Sequence, residues 1–222
     1  MNRKTPEERR FSSNEKIKSM GIACYEQLPM TESAEEVSLK TTEEICRRAA
    51  ASMISIQLAC DISAGESYEE SLDFFEPLLA RFDVGNDLNE TEKSLFDKTY
   101  TMEDAMLITW TYECCWVLLW ALGLIDDMGF PSDTCDCMKA VNIISQCNDL
   151  NELMEKCSPR DIEEILDELD LHYRYHWACV HKQIKPETEI GELYHDVVTE
   201  RRRGLEWLIS DEDDWFEISL DT

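Results

Sequence analysis

The sequence predicts an all-α fold, a single-domain helical bundle over residues 1–222 around one buried central helix, and three observations carry that prediction. The stretch EDAMLITWTYECCWVLLWALGL, Glu103 to Leu124, is apolar around nearly its whole circumference, through Met106, Leu107, Trp110, Trp116, Val117, Leu118, Leu119, Trp120, Ala121 and Leu122. A helix of that kind has to be buried. Long stripes recur at helical spacing on either side of it, as in Ile45, Ala49, Met53, Ile56 and Cys60. Helix-start chemistry also recurs, with Thr, Asn or Ser ahead of acids or Pro. At 222 residues the chain can bury one sizeable core, and no low-complexity linker divides it.

In chain order, Thr5-Pro6-Glu7-Glu8 opens a helix, because Pro suits the first helical position and acids suit the positive end of the dipole. A short helix from Asn14 to Met20 stops at Gly21, and Ile22 to Pro29 is an extended docking strap. Thr42-Glu43-Glu44 opens a helix to about Ile62, with Arg48 beside its apolar stripe. Tyr68 to Phe82 is helical, and Pro77 either kinks it or starts a second helix. Asn89 and Glu92 form a capping box for a helix to about Lys98, and Thr101 caps the central helix. Gly129 and Pro131 mark a loop, followed by weaker helices from Thr134 to Cys147 and from Asn151 to Lys156. Ser158-Pro159-Arg160-Asp161 reads as a cap and first turn for a long helix to about Gln183. The last helix spans Glu189 to Ile209, with Arg201 standing in the row of Leu193, Val197, Leu205 and Leu208. Beyond it, Phe216, Ile218 and Leu220 alternate, as suits an extended tail packed on the bundle.

The net charge of −27 is uneven: Met1 to Met20 carry six basic and three acidic residues, leaving fifteen basic against forty-five acidic. Such a field repels nucleic acid and anionic lipid and steers basic partners inward. The longest apolar run, Cys114 to Ile125, is shorter than the ~18 residues of a membrane span, and the N-terminus has no apolar signal region, so a cytoplasmic protein is expected. The ten cysteines read as reduced thiols in apolar surroundings. Cys135, Cys137, Cys147 and Cys157 lack the C-x2-C pairs of a zinc site.

Polar residues on inward rows are the candidate site: Arg48, Glu113, Asp170, Arg174, His176, Glu200, Arg201 and Asp221. An ionised Glu113 in an apolar helix costs several kcal/mol without a partner. Arg201 is the expected one, with Arg48 or Arg174 as substitutes, while the tail docks nearby through Trp215, with Asp221 meeting another of these arginines. Asp170 and Arg174 can pair within their helix, exposed or buried. No nucleophile motif or Gly-rich phosphate loop is present, so no catalytic residues and no cofactor are assigned. His172 and His176 stand one turn apart, as in helical metal sites, and His195, or an acid such as Asp170, would have to complete a shell; Tyr173 occupies the position where a zincin has its general base. No metal is therefore assigned, and the expected state is an exposed His172 with a hydrogen-bonded His176.

Four ordered pieces carry a resemblance: Trp110-x-x-Glu113 with Leu119-Trp120-Ala121-Leu122-Gly123; Asp170-Leu171-x-Tyr173-Arg174-x-His176-Trp177-Ala178; Glu200-Arg201 with Leu205-x-Trp207-Leu208; and Trp215-x-x-Ile218-x-x-Asp221-Thr222. Together they resemble the bacterial domain-of-unknown-function family 4272 over most of the chain. The sequence departs from that pattern at Thr111, where Arg is expected. The resemblance implies an architecture and no activity. The expected function is a non-enzymatic interaction protein whose acidic face engages a basic macromolecule such as a protein. The alternative is an enzyme or small-molecule binder with a pocket around Glu113, Arg174, His176 and Arg201.

Overall fold

Helix starts in this chain are marked by side-chain chemistry, and the computed structural model, which describes residues 3–222, contains five reciprocal capping boxes. They pair Thr5 with Glu8, Thr41 with Glu44, Asn89 with Glu92, Thr101 with Asp104 and Asp161 with Glu164. Each satisfies two backbone donors that a helix start leaves open. Among the described residues every regular element is helical. They are α1 (Pro6–Ser19), α2 (Thr42–Ala64), α3 (Tyr68–Phe82), α4 (Glu90–Phe96), α5 (Met102–Trp110), α6 (Tyr112–Ala121), α7 (Cys137–Ser145), α8 (Leu150–Glu155), α9 (Ile162–Ile184), α10 (His195–Ile209) and a 3-10 turn (Trp215–Glu217). The fold is all-α. No helix among these residues is long and apolar enough to cross a membrane.

The chain divides into two compact units, each assembled from separate stretches of sequence. The first takes the stretch up to Lys40, Asp127–Thr134 and Arg160–Thr222; the second takes Thr41–Asp126 and Cys135–Pro159. In the first, α9 packs against α1 and α10 around Ile17, Ile22, Leu171, Tyr175, Ala178, Cys179, Leu193 and Val198. The expected strap lies over this unit: Ile22, Leu28 and Thr31 are buried, Ala23 N–H donates to Glu189 O and Lys40 N–H to Leu208 O. In the second, α2 packs against α3, α4, α5, α6, α7 and α8. Burial of Ile45, Ala49, Ala50, Met53, Ile56 and Leu58 is what the sequence stripe requires.

The expected central helix is two helices. Thr111, buried, turns its hydroxyl back onto the carbonyl of Ile108 at 2.7 Å, and its own N–H bonds the same oxygen in a 3-10 step. At that side-chain competition α5 ends and α6 begins. Beyond it, every residue of α6 from Glu113 to Ala121 is buried, whereas α5 exposes Met102, Met106 and Leu107 and buries only Ala105 and Ile108. Trp120 and Leu122 are buried as expected and Trp207 is buried too, whereas Trp110, expected inside, and Trp177 are half-buried.

Other boundaries move for local reasons. The N-terminal segment is one helix from Pro6. α3 runs through Pro77, which lies on its exposed side, where water can replace the missing donor. α9 begins at Ile162 and not after Ser158, because Ser158 N–H is taken by Leu122 O at 2.9 Å and Asp161 caps instead. α10 starts only at His195, since Gly191 at φ 58° breaks the chain and Tyr194 N–H donates to Pro131 O at 2.8 Å. The tail makes a 3-10 turn before it extends, and Phe216, Ile218 and Leu220 are its less exposed side.

Gly123 ends α6 at φ 71°, and a methyl group there would stand 2.1 Å from the carbonyl oxygen of Ser158. Left-handed backbone and a backbone contact both oppose a side chain. Gly123→Ala is therefore expected to destabilise by about 3 kcal/mol in urea melts, against under ~0.5 kcal/mol for Gly85→Ala, whose site is open.

Candidate functional site

Of the polar residues read from the sequence, Asp170, Arg174, His176, Glu200, Arg201 and Asp221 belong to the first unit, and Arg48 and Glu113 to the second. In the first unit, α9 puts Asp170 and Arg174 one turn apart on its inward side, and both are buried. The guanidinium grips the carboxylate through two bonds, Nε–Oδ2 at 2.9 Å and Nη2–Oδ1 at 2.7 Å, and Thr31 of the strap donates to Oδ1 at 3.4 Å. Two residues after Arg174, His176 accepts at Nδ1 from Arg202 Nη1 at 2.8 Å, which fixes the neutral imidazole with its proton on Nε2. Its ring stacks on that of His195, 6.0 Å between centroids.

Arg202 also holds the tail, donating to the carbonyls of Leu220 at 3.0 Å and Asp221 at 3.1 Å, while Arg203 donates to Trp215 O and Trp207 to Asp213 O. The tail docks through a fully buried Trp215, and Asp221 accepts through its backbone carbonyl from Arg202, an arginine outside the expected set. Glu200 accepts from Arg203 at 3.1 Å, and Arg201 donates to Gly129 O at 2.7 Å.

His172 corrects an expectation. It is buried, not exposed, with Nδ1 bonded to Glu168 O at 2.9 Å and its ring edge-on to Tyr175. Apolar positions on both sides of it, Leu171 and Tyr175, share its inward face, which is why a histidine read as surface is enclosed. His172 and His176 therefore serve different partners. Burial drives both imidazoles down, to about 3 for His172 and about 4 for His176, where Arg202 adds to the effect.

In the second unit, Arg48 of α2 pairs with the buried carboxylate of Glu92 and donates to Asp87 O at 2.6 Å. Glu92 uses its other oxygen, at 3.0 Å, for Asn89 N–H in the capping box of α4. Glu113, near the start of α6, accepts the backbone N–H of Cys135 at 2.5 Å and so positions the approach to α7. Arg48, Glu113 and Glu92 are all buried.

Outside this network, α3 presents a surface that the sequence reading passed over. A groove of about 320 Å³ is lined by Asp61, Glu66, Ser67, Glu70, Ser71 and Phe74. Phe74 is 64% exposed and edge-on to Phe75 at 5.0 Å. Glu66, Glu70 and Asp73 are exposed around it, and Ser71 holds the Asp61 carboxylate at 2.7 Å.

A sequence profile described as Domain of unknown function (DUF4272) matches residues 9–218. The chain belongs to this family. No curated protein and no solved structure matches it. The segments quoted for the resemblance fall at the end of α5 and in α6, in α9, in α10 and in the tail.

Two cations were missed in that reading. Arg202 lies one turn after buried Val198, and Arg9 two turns before buried Ile17, so both had an apolar register to mark them. Arg9 is buried against Glu163 at 2.6 Å and Asp167 at 3.0 Å. Glu92 was read only as a cap.

Two predictions follow from burial. Asp170→Ala strands a buried guanidinium and should cost ~3 to 5 kcal/mol in denaturant melts, whereas replacing both Asp170 and Arg174 with packed apolar residues should cost much less. For the histidines, the folded pKa lies below the unfolded value of about 6.5. Their contribution is therefore complete above pH ~6.5 and is lost as pH falls from there towards the folded values, because the unfolded chain takes up protons that the folded chain refuses. At pH 5 this amounts to ~2 kcal/mol for each histidine. Glu168 and Glu206, raised by burial, act in the opposite sense. Melts of His172→Gln and His176→Gln at pH 7.5 and 5 should each show a shallower acid loss than the parent.

Proposed function

We propose that this DUF4272 protein is a non-enzymatic interaction module whose acidic α3 face captures a basic peptide segment of a partner protein. The observation that carries the reading is Phe74, an exposed aromatic ring set in a groove walled by the carboxylates of Asp61, Glu66 and Glu70. Such a groove offers an arginine or lysine an aromatic face and charge-assisted acceptors together. Long-range attraction comes from the rest of the surface. Five arginines are buried, namely Arg9, Arg48, Arg174, Arg201 and Arg202, against four buried carboxylates, Glu92, Glu113, Asp170 and Glu200, so the exterior carries nearly the whole net charge of −27. Ten free cysteines support a cytoplasmic location, and the resemblance to bacterial sequences supports a bacterial source.

Fluorescence anisotropy with a labelled Arg/Lys-rich octapeptide tests the idea. Affinity should rise as salt is lowered, Phe74→Ala and Glu70→Lys should each weaken binding about tenfold, and a charge reversal on another exposed helix should do less. Equal losses from charge reversal anywhere would leave only nonspecific attraction and sink the α3 assignment.

A further inference from the structure

We propose that Cys46 and Cys157 form a modification site, a thiol pair that peroxide closes reversibly into a disulfide between α2 and the turn after α8. The two Sγ atoms lie 3.5 Å apart, although the residues are 111 positions apart in sequence. A closing movement of ~1.5 Å brings them to a disulfide bond length of ~2.05 Å. α2 and α8 pack against each other in the second unit, so the juxtaposition belongs to its core. The turn is fixed from the other side by the bond from Ser158 N–H to Leu122 O at 2.9 Å, which holds the backbone next to Cys157 in place.

The two sulfurs have unequal surroundings, and the inequality sets their order of reaction. Cys46 is fully buried on the second turn of α2, whereas Cys157 is half-buried in a turn that small oxidants reach. A hydrogen bond from Cys46 favours the thiolate of Cys157 and holds its titration below that of an ordinary thiol, while the same bond and burial push Cys46 up. The Cys157 thiolate attacks one oxygen of hydrogen peroxide, the O–O bond breaks, and hydroxide leaves and is protonated to water, giving a sulfenic acid. Cys46 sulfur then attacks Cys157 sulfur, the S–O bond breaks, and the hydroxyl leaves with the Cys46 proton as a second water. Two thiols are oxidised by two electrons and one peroxide is reduced to two waters. A third thiol, Cys147, lies nearby with its Sγ 3.3 Å from Lys156 Nζ, and it is the internal competitor.

The test uses the full chain, reduced, desalted, treated with one equivalent of hydrogen peroxide, then unfolded in N-ethylmaleimide and mapped by mass spectrometry. The expected result is that two of the ten free cysteines escape alkylation, that the missing pair is a Cys46–Cys157 linked peptide, and that dithiothreitol restores both. Cys157→Ser should abolish the link and leave Cys46 unoxidised. With Cys46→Ser the same treatment should leave a sulfenic acid on Cys157 that dimedone traps. Should Cys46→Ser fail to fold, the parent and Cys157→Ser maps decide by themselves. A Cys147–Cys157 link, oxidation falling first on other cysteines, or full alkylation after peroxide would each overturn the proposal.

Discussion

A chain this acidic can bury cations only where it brings acceptors to meet them, and that constraint organises the interior. Arg174 is met by Asp170, Arg48 by Glu92, Arg9 by Glu163 and Asp167, and Arg202 by the carbonyls of the tail and a histidine nitrogen. Each arrangement is costly to break from one side, because the remaining charge has no water to return to. Every such pairing also fixes a neighbour: the strap through Thr31, the tail through Leu220 and Asp221, and the start of α4 through Glu92. These buried polar residues are therefore joints between elements as much as charges.

The fold class and most helix starts were legible in the sequence because they depend on local chemistry. Asn89 and Thr101 announce their helices within four residues, and α2 and α9 carry continuous apolar stripes. What could not be read depends on contacts distant in sequence. Thr111 resembles any other helical residue until its hydroxyl chooses the Ile108 carbonyl, and Ser158 resembles a cap until Leu122 claims its N–H. The same holds for the site. Arg174 and Asp170 share a helix face and were visible as a pair, but Arg202 serves a histidine on one side and the tail on the other. Phe74 went unnoticed because an aromatic in an amphipathic helix is ordinarily read as core.

Interior pairing and surface acidity are two aspects of one allocation. Buried arginines and buried carboxylates nearly cancel, so the acidic excess of the chain is left to define what a passing molecule meets. An exposed phenyl ring within such a field gives a diffuse attraction a place to end, which separates recognition from mere counterion binding. Cys46 and Cys157 lie in the same second unit as that ring. A covalent tie there would restrain the body that carries the recognition face without altering its charge.

Glu92 shows how a single carboxylate can merge two levels of folding. One oxygen closes the box that starts α4, and the other holds Arg48 of α2. α4 has only seven residues, too few for an independent helix in water. Its nucleation is thus subordinated to α2: until the longer helix delivers its guanidinium, the acid that should initiate the shorter one is an uncompensated charge entering a closing core. The two segments then form and dissolve as one cooperative unit, and amide exchange in α4 is governed by the opening of α2 and not by fraying of its own ends.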